Sequence, residues 1–139
     1  MPTVPSLLYA VKQVELAVRA HLDELLRPHG LTTSTYTALT VLERREGRTT
    51  AELARTSFVT PQAMSDIVAA LERRELVTRS TDPAHGRRRL IGLTPAGRAR
   101  LAEVADDVAA LEARMVAGLD AGERAALRHH LNSCRAALT

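Results

Sequence analysis

Arg87, Arg88 and Arg89 stand consecutively in this chain, between two short segments of strand character. A guanidinium is always charged, weakly hydrated for a cation, and carries its donors in a planar fork that matches phosphate oxygens. A run of three is therefore suited to an anionic ligand, and to a narrow anionic cleft above all. Before the run, Leu76-Val77-Thr78-Arg79-Ser80-Thr81 is rich in β-branched residues, and Asp82-Pro83-Ala84-His85-Gly86 is turn-forming. After it, Arg89-Leu90-Ile91-Gly92-Leu93 is a second apolar run that closes at Thr94-Pro95. Together these predict a β-hairpin with cationic residues at its tip.

The elements that position such a hairpin lie upstream. Thr49-Thr50-Ala51-Glu52 fits a capping box that opens a short helix containing Leu53 and Ala54. A break at Ser57-Phe58-Val59 follows, and Thr60-Pro61 supplies an N-cap and a first-turn proline for a helix over about 61–74. The spacing puts Met64, Ile67, Val68 and Leu71 inward and leaves Pro61, Gln62, Ser65, Asp66 and Ala69 outward. A helix pair followed by a basic hairpin is a winged-helix arrangement, whose usual ligand is duplex DNA.

Longer helices flank this centre. Leu7, Val11, Val14, Val18, Leu22 and Leu25 form one stripe on a first helix, which ends near residue 27 where Pro28 steers Arg27 away from α geometry and Gly30 offers a left-handed stop. A second helix begins after Thr32 or Thr33 and runs to about Glu46, with Gly47 as its stop. Thr94-Pro95 starts a fifth, striped by Leu101, Val104, Val108, Leu111 and Met115. Asp120-Ala121-Gly122-Glu123 caps a sixth, with Leu127, Leu131, Cys134 and Leu138 on one side. These outer apolar faces exceed what a segment of about 60 residues can cover, so helix-on-helix homodimerisation is the expected outcome. The fold class expected is mostly α with a small β-hairpin wing.

Charge placement agrees. Residues 1–39 carry three basic and three acidic groups, residues 40–100 twelve and seven, and residues 101–139 four and six, so the net +3 comes from the middle segment. A basic centre between neutral and acidic ends is an electrostatic footprint of nucleic-acid binding. The single cysteine excludes an internal disulfide and fits a reducing cytoplasm, and its place on the last helix's stripe reads as a buried structural thiol. No apolar run approaches the roughly 20 residues of a membrane span, and Met1-Pro2-Thr3-Val4-Pro5-Ser6 lacks the basic region of a secretion signal. Nothing in the spacing resembles a phosphate loop, a metal cluster or a nucleophile–base pair, so neither enzyme chemistry nor a cofactor is expected. His129 and His130 are adjacent and point to different faces, which disfavours a shared metal.

From about Leu7 to Leu138 the layout resembles the MarR family of bacterial transcriptional regulators. The most specific likeness is the wing, where that family shows Asp-Pro, an Asp-x-Arg, five residues and Leu-Thr-x-x-Gly. Here Asp82-Pro83 is present, and Arg87 is followed by five residues and then Leu93-Thr94-Pro95-Ala96-Gly97. His85 stands where the family has the Asp that pairs with the wing arginine, and Glu75 where many members have Gly. The resemblance implies one domain over residues 1–139, with 7–27 and 98–138 as dimerisation helices and 32–94 as the DNA-binding lobe. It implies a homodimer on a palindromic operator, and a repressor released by a small anionic or phenolic effector. Arg87 would be the minor-groove finger, and Thr60, Pro61, Gln62, Ser65 and Asp66 the reading positions. The chemistry is compatible: Arg suits a narrow A·T groove, Gln62 can pair bidentately with adenine, Ser65 can reach a base or a phosphate, and Asp66 can accept from cytosine N4. Arg55, Arg79, Arg88 and Arg89 are the expected phosphate contacts. His21 and Tyr36 are candidates to line an effector cleft. The competing expectation is a winged-helix protein-interaction module without DNA binding.

Overall fold

The computed structural model describes residues 3–4 and 6–139; Met1, Pro2 and Pro5, part of the stretch read above for a secretion signal, lie outside the described residues. The element order is α1 (Leu7–Leu26), one 3-10 turn (Arg27–His29), α2 (Thr33–Arg44), α3 (Thr50–Thr56), α4 (Pro61–Arg73), β1 (Val77–Asp82), β2 (His85–Leu93), α5 (Pro95–Met115) and α6 (Ala121–Leu138). The chain divides into two compact units, Met1–Asp106 and Asp107–Thr139. No helix among the described residues is long and apolar enough to cross a membrane.

The first unit closes a core of its own. Leu26, Leu39, Leu42, Leu53, Met64, Val68, Leu71, Leu76, Ile91 and Val104 are all within 1% of full burial. Caps decide where its helices begin. The Ser6 hydroxyl accepts from Tyr9 N–H at 3.1 Å, and Thr32 and Thr35 form a reciprocal box at the start of α2. Thr49 and Glu52 do the same for α3, and the Thr60 hydroxyl accepts from Ala63 N–H at 3.1 Å. Each cap satisfies an N–H that the helix itself leaves without a partner. Along α4, Met64, Val68 and Leu71 are buried as expected, while Ile67 and Ala69 are both half-buried rather than inward and outward.

Three local expectations need correction. Arg27 keeps right-handed helical geometry (φ −55, ψ −45) despite preceding Pro28. Its N–H bonds the Asp23 carbonyl, and the chain tightens into a 3-10 turn before Gly30, at φ +70, ends it. The second helix stops at Arg44, not Glu46, because the next residues are claimed by the hairpin. Gly47 and Arg48 N–H both donate to the Ile91 carbonyl, and Ile91 N–H returns a bond to Arg48 at 2.8 Å. Gly47 takes φ +75 to make that exit. Finally, the arginines are neither between the strands nor at the tip. The turn is Pro83-Ala84, closed by a 2.9 Å bond from Ala84 N–H to Asp82 Oδ1, and all three arginines belong to β2.

The register explains the arginines' setting. Val77 pairs with Leu93 and pairing continues in step to Thr81 with Arg89, whereas Asp82 pairs with His85. Gly86, Arg87 and Arg88 are therefore extra residues opposite the Thr81–Asp82 step. Such a bulge bends one strand and re-aims its side chains. The base of the hairpin is clamped: Thr94 N–H donates to the Leu76 carbonyl, and the Thr94 hydroxyl donates to the Glu75 carbonyl at 2.6 Å. Gly97 is buried there, and a Cβ on it would collide with the Leu76 carbonyl oxygen.

The second unit is a helical hairpin of the end of α5 with α6. Asp120 and Glu123 form the capping box of α6. Every described residue of α6 is exposed or half-buried, including Cys134. The expectation of a buried thiol is therefore corrected for the single chain: along the stripe, Leu127 is half-buried and Leu131, Cys134 and Leu138 are exposed. Ala109, Ala113, Val116, Leu127 and Leu131 line a groove of about 360 Å³ between these helices.

Candidate nucleic-acid interface

The surface suited to a duplex is assembled by α3, α4 and the hairpin. Ser57 caps α3, and Phe58 turns the chain in left-handed geometry at φ +60. The Val59 N–H then bonds the Ala54 carbonyl, which brings Thr60 to the head of α4. Thr60, Pro61, Gln62, Ser65 and Asp66 are all exposed. Gln62, Ser65 and Asp66 follow the i, i+3, i+4 spacing of one helix face, opposite the buried Met64, Val68 and Leu71. The start of that helix is free of acidic residues in its first turn, so its positive end is undiluted.

The arginines fall into two groups. Arg55, Arg87 and Arg89 are exposed and have no carboxylate partner among the described residues. Arg79 is half-buried, with Nε 3.4 Å from Glu72 of α4, and it pairs in register with the buried Ile91. Arg88 donates from Nη2 to Glu52 Oε1 at 3.1 Å. Glu52 is the capping residue of α3, and the same Oε1 accepts from the Thr49 hydroxyl at 2.9 Å and from Thr49 N–H at 3.3 Å. These Thr49 bonds, with Arg88 adding to them, hold the Glu52 carboxyl below its ordinary value of 4.5. His85 is exposed at the first position of β2, opposite Asp82.

His21 on α1 and Tyr36 on α2 are both half-buried. A cavity of about 690 Å³ opens between α1, the start of α2 and the Ser57–Val59 turn, and neither residue is on its wall. Glu15, Arg19, Asp23 and Arg27 line it from α1, and Phe58 lines it from the turn. Asp23 accepts from the Thr33 hydroxyl at 2.6 Å and from Thr33 N–H at 3.0 Å, which holds its carboxyl below the ordinary 3.8. Ser57 is buried with its hydroxyl unpartnered, and Phe58 is 84% exposed. In the sequence Ser57-Phe58-Val59 reads only as a break; no local pattern announces a wall whose other side is formed by α1. Glu52 is legible in the sequence as a cap, whereas its bond to the wing joins residues 36 positions apart and has no local signal. Among the described residues, no group of three or more His, Cys, Asp and Glu is placed to hold a metal ion.

Comparison with known proteins bears on the whole of this surface. The model of the MarR family matches residues 29–88. The HTH-type transcriptional repressor Rv2887 of Mycobacterium tuberculosis is 34% identical over 116 residues, which is 84% of each chain. A structure of Rv2887 in complex with salicylic acid superposes with a TM-score of 0.76 at 31% identity, covering 96% of this chain and 99% of that one. The transcriptional repressor CouR of Rhodococcus jostii RHA1, bound to a 23-mer DNA duplex, superposes with a TM-score of 0.82 at 30% identity, covering 94% and 92%.

Proposed function

This chain belongs to the MarR family, and on that premise we propose that it is a sequence-specific, homodimeric DNA-binding regulator: a ligand-responsive repressor acting on a palindromic operator in the cytoplasm. It acts by binding, not by catalysis. The observation that carries the reading is the exposed face of Gln62, Ser65 and Asp66 on a helix whose first turn is Thr60-Pro61, in one compact unit with a hairpin that leaves Arg87 exposed. Residues 32–94 form the DNA-binding lobe in this reading, and 7–27 with 98–138 the dimerisation helices. Thr60, Pro61, Gln62, Ser65 and Asp66 face base edges in a major groove, and Arg87 enters the neighbouring minor groove. Arg55 and Arg89 contact phosphates, while Arg79 and Arg88, also expected as phosphate contacts, lie beside Glu72 and Glu52.

Dimerisation is supported by apolar surface left exposed on the described residues. Leu7, Leu8, Val11 and Val14 of α1 are 53–85% exposed, and Leu131 and Leu138 of α6 are 52% and 86% exposed. Two copies on a two-fold axis would present two reading helices to two half-sites. The effector is a small anionic or phenolic compound, a reading supported by the salicylic acid bound to Rv2887. His21 and Tyr36 on α1 and α2 are its proposed contacts, and the cavity walled by Arg19, Arg27 and Phe58 lies beside the same helices. A ligand that fits only the unbound spacing of the two lobes must weaken DNA binding by linkage.

The test is a salt titration of binding to a duplex selected by the protein from a random library. Neutralising several phosphates makes affinity fall linearly on a log–log plot, with a slope near 0.9 per phosphate. Binding of that form, weakened by millimolar salicylate, supports the proposal. A protein that selects no duplex at low salt is instead an interaction module, for which the exposed Asp66 would be a fitting contact.

A further inference from the structure

We propose that Glu52 is a positioning residue for the wing, acting through Arg88 as a strut that holds the β2 bulge so that Arg87 is presented to DNA; the inference rests on the DNA-binding reading above. Gly86, Arg87 and Arg88 have no opposite residues in β1, so hairpin pairing alone does not fix them. Among the described residues, the bond that ties the bulge to the rest of the lobe is made by Arg88. Arg88 reaches α3 and bonds Glu52 Oε1, an oxygen already held at 2.9 Å by the Thr49 hydroxyl. The carboxylate is thus anchored before Arg88 arrives, and it is only 26% exposed. Tying Arg88 to α3 holds the backbone on which the adjacent Arg87 is carried, and Arg87 itself stays exposed with no carboxylate partner among the described residues. Asp82, the nearest carboxylate in the hairpin, accepts from Ala84 N–H at the turn, and position 85 is histidine. Among the described residues, the Glu52–Arg88 pair is the ion pair that the bulge makes with the body of the lobe.

An exposed ion pair contributes little to folding stability. Its effect here is on order: residues that are already fixed lose less freedom when DNA binds. This assigns Arg88 a different task from a phosphate contact, and the two tasks predict opposite results. If Arg88 contacted phosphate, removing the Glu52 charge would free it and remove a repelling carboxylate, so DNA binding would tighten. If Arg88 is a strut, the same change loosens the bulge and binding weakens.

The experiment uses the full-length protein and the duplex selected from a random library. Glu52→Gln keeps an N3 side chain that can serve the capping box. Arg88→Gln leaves the cap untouched and guards against a folding failure of the first variant. Each is expected to bind about three- to tenfold more weakly than wild type, the scale of ordering one or two side chains. The salt slope should stay at the wild-type value, whereas loss of a phosphate contact lowers it by about one. Arg87→Ala should cost less in the Glu52→Gln background than alone. Hydrogen exchange of the amides of residues 84–90, measured without DNA, should quicken in both variants. Tighter or unchanged binding by Glu52→Gln, or a salt slope reduced by one in Arg88→Gln, overturns the strut. So does unchanged exchange. If wild type selects no duplex, the DNA-binding reading fails, and the exchange measurement alone still decides whether Glu52 orders the bulge.

Discussion

Helices α4 and α6 are built to similar rules and reach opposite ends. Each starts with a side-chain cap and carries a regular apolar stripe. The stripe of α4 is sealed, with Met64, Val68 and Leu71 at 0% exposure. That of α6 leaves Leu131 and Leu138 more than half exposed, and every described residue of the helix is at least partly open. Part of the difference is in the stripes, α4 being the more strongly amphipathic, and part is in what surrounds them. Around α4, α3 and the hairpin bring apolar side chains from several directions. α6 has only the end of α5 beside it in its own compact unit. The lobe covers its own stripe from within; in the function proposed above, a second chain covers that of α6.

The largest effect should come from breaking the sealed side. Leu71→Ala removes a fully buried side chain and is expected to cost about 2–5 kcal/mol of unfolding free energy. Urea denaturation monitored by circular dichroism measures it. Leu131→Ala on the open side should leave the lobe's local stability unchanged, read by hydrogen exchange in α4. It should instead move the protein in analytical ultracentrifugation from about 30 kDa, twice the 15.1 kDa chain, toward monomer. A wild-type monomer with full helicity would remove the distinction between the two regions.

Arg87→Ala is expected to weaken binding to the selected duplex by about 1–3 kcal/mol, the scale of one good groove contact. Fluorescence anisotropy at fixed salt reads it directly. Binding equal to wild type would take Arg87 out of the DNA-reading set. Stability should not change, since the side chain is exposed and touches no carboxylate among the described residues.

A smaller gain is expected at Glu75, which links the end of α4 to β1 in left-handed geometry at φ +59. Such geometry costs a side-chain-bearing residue about 1–2 kcal/mol, partly offset in glycine by its greater freedom when unfolded. Glu75→Gly should therefore raise stability by up to about 1 kcal/mol, visible as a higher thermal midpoint. The bond from the Thr94 hydroxyl to the residue 75 carbonyl is a backbone acceptor and survives the change. A lower midpoint would mean that the carboxylate has a role that its exposed position does not reveal.

The smallest effect concerns pH. Asp23 and Glu52 are both held below their ordinary values of 3.8 and 4.5, each mainly by threonine hydrogen bonds to the carboxylate. The unfolded chain therefore binds those protons at higher pH than the native chain does. Their contribution is fully present above about pH 4.5 and is lost as pH falls through the lower native values. Denaturation midpoints at pH 7 and 5 should differ little on their account, with a decline below 4.5. That decline should be shallower in Asp23→Asn and Glu52→Gln. An undiminished decline in both variants would show that other carboxylates set the acid limit.

The residues of the chain by themselves determined most of the secondary structure and the identity of the outward face of α4. Caps, prolines and apolar spacing act within one or two turns, so Thr32, Thr49, Thr60, Thr94 and Asp120 start their helices wherever the rest of the chain goes. They also made the family legible, because the wing pattern ending in Leu93-Thr94-Pro95-Ala96-Gly97 is contiguous. What only the tertiary structure decided are the features made by residues far apart. Arg48 meets Ile91 across the lobe and ends α2 early, and Arg88 meets Glu52 and leaves Arg87 for another task. The cavity beside Ser57 and Phe58 exists because α1 lies across from them. Cys134 followed a periodicity that marks an apolar face, but periodicity says only which way a side chain points along its helix. Whether anything lies on that side is a property of the packed structure, and in the single chain the side is open.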